Sequence, residues 1–167
     1  KKNDYEQAIT YLEKTTNLTG SNRFNIAILE SLKQYIYVFK EKKISDNKKN
    51  LGKLSIISET FQRCYLGNED TNSYFSNLIN NDESDYTRYI YFYLSYLIEN
   101  NMVEEAKKLT DNLEYIDTKL LLSQGKSWIQ SGDEKKLINI FSCKNPNDII
   151  AEFLFLISNL YSSQDIF

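Results

Sequence analysis

Turn-forming residues are nearly missing from this chain: it has five glycines and one proline in 167 residues. A fold of many short strands needs a Gly- or Pro-bearing turn every few residues, and the sequence does not supply them. Long helices joined by few bends fit what is present. Apolar residues are 41% of the chain and charged residues 26%, a balance that buries a real core and is not that of a disordered chain.

The apolar residues fall at helical spacing. In NDYEQAITYLEKTTNL, Tyr5, Ala8, Ile9, Leu12 and Thr16 form one stripe, and Thr19-Gly20-Ser21 closes it. Phe24, Ala27, Ile28, Leu32, Tyr35 and Phe39 mark a second helix, and Leu51, Leu54, Ile57, Phe61, Cys64 and Tyr65 a third. A short fourth spans Thr71 to Asn80. The stretch RYIYFYLSYLIENN, Arg88 to Asn101, alternates Tyr89, Tyr91 and Tyr93 like a strand. Ile90, Phe92 and Leu94 lie between them and are apolar too, so no polar face exists. We predict a buried helix here, capped by Ser84 with Asp85 in its first turn. Further helices follow at MVEEAKKLTDNLEYI, DTKLLLSQGKSWIQ, DEKKLINIFSCK and NDIIAEFLFLISNLYSS, with Pro146 suited to a first helical turn.

Composition narrows the function classes. Net charge is −3 and histidine is missing. A mildly acidic chain is a poor general ligand for nucleic acid or anionic membranes. Without His, the commonest general base and metal ligand is lost. No Gly-rich phosphate loop, nucleophile elbow or metal-ligand cluster is visible, so we expect no enzyme, cofactor or metal site. No apolar run approaches the roughly 20 residues of a membrane helix. The two cysteines, Cys64 and Cys143, are far apart in sequence. They are expected as buried packing thiols, with a disulfide left open because spacing does not fix distance. The chain starts without Met or a signal-like segment and is read as an excised part of a longer protein, soluble, with a cytoplasmic setting favoured.

Three bends, at ENNMVEEAKKL, QSGDEKKLINIF and SSQDIF, recur at intervals of about 31 to 32 residues, near the period of helical-hairpin repeats. These residues resemble the tetratricopeptide repeat. NDYEQA (Asn3 to Ala8) follows the start of that family's second helix, and NNMVEEA (Asn100 to Ala106) follows it in part. Gly125 and Trp128 fall where its first helix has a Gly and an aromatic residue. Ala8 and Ala106 take the small-residue place, and Leu137 departs from it. The match covers residues 1–20 and 85–167, and residues 21–83 depart from the pattern. The resemblance implies an all-α solenoid of antiparallel helix pairs with a right-handed superhelical sense, in one domain with irregular repeats over 1–83 and tetratricopeptide-like repeats over 84–167. It implies a small residue at a tight crossing for Ala106 and a buried Trp128.

The resemblance also implies a concave groove lined by first helices: Arg88, Tyr91, Phe92 and Ser95 in one repeat, Lys119, Leu122, Ser123 and Lys126 in the next, and Phe155 in the last. Basic ends and an aromatic floor suit an extended peptide with acidic and apolar residues. The expected role is thus a scaffold that binds other proteins or peptides. The alternatives are an RNA-binding pentatricopeptide-like array, which the acidic balance opposes, and a helical accessory domain of an enzyme. The basic run Lys40 to Lys53 and the acidic NDESD (Asn81 to Asp85) are read as a solvated turn and a cap. The final helix is apolar around most of its circumference, so self-association through Phe153 and Leu160 is expected.

Overall fold

The structure is a computed structural model that describes residues 4–18, 23–44, 52–80, 86–113 and 115–163. Among these residues the fold is all-α, as expected. The helices are α1 (Tyr5–Leu18), α2 (Arg23–Glu41), α3 (Lys53–Leu66), α4 (Thr71–Ile79), α5 (Thr87–Glu99), α6 (Val103–Asp111), α7 (Leu120–Ser131), α8 (Lys135–Ile138) and α9 (Pro146–Ser163), with a single 3-10 turn at Ile116–Thr118 before α7. The expected cap at Ser84, the NDESD segment, the Thr19-Gly20-Ser21 bend and half of the basic run lie outside the described residues.

The chain separates into two compact units, Lys1–Asn68 with Ile149–Phe167, and Glu69–Asp148. This partition groups α9 from Ile149 onward with α1–α3. In the first unit α2 packs on both α1 and α3. Its buried stripe is Ser31, Tyr35, Val38 and Phe39. Phe153 of α9 meets the edge of the Tyr35 ring at 5.6 Å between centroids, and Tyr161 meets Phe24 at 5.3 Å. Ile149, Phe153 and Ile157 recur at helical spacing and are buried, which gives α9 one inward face. Phe153 is therefore core and does not belong to an exposed strip. Leu160 is half-buried. The large apolar residues that α9 exposes, among those described, are Leu154 and Phe155.

In the second unit α5 is the hub, packed against α4, α6, α7 and α8. That explains its composition. Every residue from Tyr89 to Ile98 is buried, and a helix surrounded on all sides needs apolar residues on all sides. Phe75 of α4 stacks on Tyr93 at 4.9 Å. Ala106 of α6 is fully buried, as a small residue at a crossing should be. The buried stripe of α7 is Leu122, Gly125 and Ile129. Trp128 lies on its flank and is half-buried, not the core residue expected. Helix α8 is a single turn.

Left-handed residues follow α3, α5 and α7. Asn101 (φ 60°) and Gly132 (φ 80°) end α5 and α7. After α5, the Met102 amide donates to the Leu97 carbonyl at 2.8 Å; after α7, the Asp133 amide donates to the Trp128 carbonyl at 2.8 Å. Both satisfy carbonyls that the last turn would leave unpaired. Gly67 closes α3 the same way, with the Asn68 amide on the Arg63 carbonyl at 3.1 Å. Pro146 is the first residue of α9, preceded by Asn145, whose side-chain oxygen accepts from the Asn147 amide at 3.1 Å. Cys64 and Cys143 are both fully buried, and neither is a free thiol: both are disulfide-bonded.

Candidate functional site

Four elements of the second unit frame an apolar cleft of about 250 Å³. Ile79 ends α4. Tyr86, Thr87 and Ile90 open α5. Leu113, Tyr115 and Ile116 come from the connection between α6 and α7, and Lys119 and Leu122 from the start of α7. The connection supplies the lip because the 3-10 turn buries Ile116, 3% exposed, and turns Tyr115 outward, 71% exposed. Leu120, directly after Lys119, is 84% exposed. A tyrosine in water is individually ordinary; on the lip of an apolar recess it extends it. Among the described residues that line the cleft, Lys119 carries a charge.

The residues expected to share one groove are distributed differently. Tyr91, Phe92 and Ser95 are completely buried, so they present no open floor. Tyr91 and Phe92 converge on Phe141, at 5.6 Å and 5.2 Å between ring centroids, and the Arg88 guanidinium lies 4.8 Å from the same ring. Phe141 follows α8, and nothing local in the sequence announced its place. Lys126 is half-buried, 3.8 Å from Asp111, and Ser123 is half-buried. Of the predicted set, Lys119 and Leu122 line the cleft. The rest of the cleft was missed, although Leu113, Tyr115 and Ile116 stand in a stretch where apolar residues break the helical stripe.

A polar cluster sits at the far end of α5. The Ser142 hydroxyl donates to Glu99 Oε1 and accepts from the Lys144 amide at 3.0 Å. The Ser142 amide donates to Asp148 Oδ2 at 3.0 Å. Glu99 Oε2 is buried with no hydrogen-bond partner. Burial pushes the Glu99 carboxyl up, against the opposing pull of Ser142 and Lys144, with Asp148 adding to the rise. Burial also pushes the Lys144 ammonium down. The bonds tie the end of α5 to the turn before α9, which is a structural task. Among the described residues no group of three or more acidic or cysteine side chains is placed to hold a metal ion, and no helix is long and apolar enough to cross a membrane.

Residues 69–166, more than half of the chain, match the family described as the APAF-1 helical domain. The chain belongs to that family. Every residue lining the cleft lies inside the span matched to the APAF-1 helical domain, as do the hub helix α5 and both left-handed caps at Asn101 and Gly132. Comparison with curated proteins and with solved structures finds no match.

Proposed function

We propose that this chain is a protein-interaction module, one helical part of a larger protein, and that the cleft receives a segment of a partner protein. The observation that carries the reading is the recess itself: apolar side chains from four elements, with the exposed Tyr115 ring on its lip. Exposed aromatic residues beside a preformed apolar recess are what interface cores concentrate. Membership in a family of helical domains is in keeping with a non-catalytic part of a larger assembly.

The finer reading is that α5–α6 and α7–α8 are successive tetratricopeptide-like hairpins of a solenoid. Its support is local. Both first helices end in the same left-handed cap, and Ala106 is buried where the repeat has its small residue. On this reading the docking surface is the cleft at the repeat ends, and the aromatic floor of α5 serves the core.

The test is selection of peptides from a random-sequence library on the whole chain, followed by binding to Tyr115→Ala. Tyr115 is largely exposed, so its truncation leaves the fold intact. Selected peptides are expected to lose at least severalfold in affinity. A set of peptides that binds tightly and is indifferent to Tyr115→Ala would place partner docking elsewhere and sink the cleft.

A further inference from the structure

Met102 is the single methionine of the chain. It is half-buried at the turn between α5 and α6, and its amide bond to the Leu97 carbonyl fixes its backbone there. The sulfur is already in use. Asn72, in the first turn of α4, donates its side-chain amide to Met102 Sδ at 3.8 Å. A thioether sulfur is a weak acceptor. The other end of the same side chain, Asn72 Oδ1, is buried with no hydrogen-bond partner. Asn72 is thus held with its donor on a poor acceptor. The chain's two cysteines are disulfide-bonded, so neither offers a thiolate that would compete with Met102 for an oxidant.

We infer that Met102 is an oxidation site for hydroperoxides, hydrogen peroxide being the simplest, and that Asn72 holds the product. The Sδ lone pair attacks one peroxide oxygen and forms the S–O bond. The O–O bond breaks, and the departing oxygen leaves as water with both peroxide protons. Sulfur loses two electrons and the peroxide is reduced by two. An N–H···O bond spans about 2.9 Å, less than the 3.8 Å between the Asn72 nitrogen and the sulfur. An oxygen added on that side of Sδ closes the gap. The sulfoxide is chiral, and one epimer carries its oxygen on the Asn72 side. Methionine oxidation commonly disrupts packing, because a polar group replaces an apolar one. Here the polar group meets a donor already in place, so oxidation ties α4 more firmly to the turn between α5 and α6.

The test treats the isotope-labelled whole chain with dilute hydrogen peroxide until intact mass shows one added oxygen. The Asn72 side-chain amide signals are expected to move downfield, and the melting temperature to hold or rise. Asn72→Leu removes the donor, so the same oxidation should lower its melting temperature by about 2–4 °C, the cost of a half-buried acceptor left unpaired. Met102→Leu should gain no oxygen and show no shift. If peroxide that oxidises free methionine adds no oxygen to the folded chain, Met102 is not an oxidation site. If the oxygen is added but the Asn72 amide signals stay in place, or the parent loses as much stability as Asn72→Leu, Asn72 does not hold the product and the inference is overturned. The amide signals of the parent decide this even where Asn72→Leu fails to fold.

Discussion

Gly125 faces Leu137 so closely that a Cβ on the glycine would stand 3.1 Å from Leu137 Cδ2, and 3.6 Å from Tyr91 Cε2. The large residue on one side is matched by no side chain on the other. Leu137 is fully buried, and Gly125 supplies the space for it. Gly125→Val should overpack this crossing of α5, α7 and α8 and cost about 1–3 kcal/mol. Gly125→Ala is expected to be near neutral. Its methyl is tight only against the end of the Leu137 side chain, with Tyr91 and Leu94 at ordinary contact distance, and the helix gains up to about 1 kcal/mol on losing a glycine. Denaturant unfolding separates the two. A Val variant as stable as the parent would mean that the crossing is looser than the structure has it.

Tyr91 is fully buried and its hydroxyl has no hydrogen-bond partner among the described residues. Burial pushes its pKa up to about 12. An unfolded tyrosine ionises near 10. The fold therefore binds this proton more tightly than the unfolded chain does, and its contribution is whole below pH 10 and lost as pH climbs to about 12. Tyr91→Phe deletes an orphaned polar group without changing the ring. It should leave stability at pH 7 unchanged or raise it by about 1 kcal/mol, and it should delay alkaline unfolding between pH 10 and 12. Thermal melts across that range decide. A clear loss at pH 7 would show that the hydroxyl has a partner.

The helices were legible in the sequence because their signals are local. A 3.6-residue stripe, Asn145-Pro146 at a helix start, and Gly132 at a helix end each act within a turn or two. What was not legible depends on residues distant in the chain. Tyr91 and Phe92 were expected on a groove because the register of α5 alone leaves them outward. Phe141, beyond α8, covers them instead. Phe153 was expected on an exposed strip because α9 is apolar around most of its circumference, yet its inward face is chosen by Tyr35 of α2. The cleft escaped for the same reason. Its walls come from four elements, and only Lys119 and Leu122 shared a register that could be counted along one helix.

The two caps, Asn101 at φ 60° and Gly132 at φ 80°, differ in cost though not in geometry. The left-handed region strains most L-residues by about 1–2 kcal/mol, and Asn tolerates it best after Gly. No atom lies within 4 Å of a Cβ placed on Gly132, so a substitution there meets backbone strain and no clash. Gly132→Ala should lose about 1 kcal/mol, Gly132→Asn less, and Asn101→Val more than Asn101→Gly. Melting temperatures of the four variants give the order directly. Equal stability of Gly132→Ala and Gly132→Asn would remove the argument that the cap conformation, and not side-chain contact, is what these positions hold.

Glu99 gives the fold an acid-side dependence of unusual sign. Carboxylates held by ion pairs usually strengthen a fold as pH rises past the carboxyl range. Burial instead raises the Glu99 carboxyl, despite the hydrogen bond from Ser142 and the nearby Lys144, with Asp148 pushing the same way as burial. The folded state thus binds its proton more tightly than the unfolded state. The favourable contribution is complete below the ordinary carboxyl range and is lost as pH rises through the elevated folded value. At neutral pH the ionised Glu99, with Oε2 buried and unsatisfied, opposes folding. Glu99→Gln keeps an oxygen to accept from Ser142 and removes the charge. It should therefore raise the melting temperature at pH 7, with the gain shrinking toward zero as pH falls below about 4, where the parent is neutral too. Ser142→Ala is expected to push the other way at pH 7, because it strips the ionised carboxylate of its hydroxyl donor, and to matter less in acid. Melts of both variants at pH 3 and pH 7 test the sign. If Glu99→Gln destabilises at pH 7, the carboxylate is held by Lys144 more firmly than burial penalises it, and the sign of the dependence reverses.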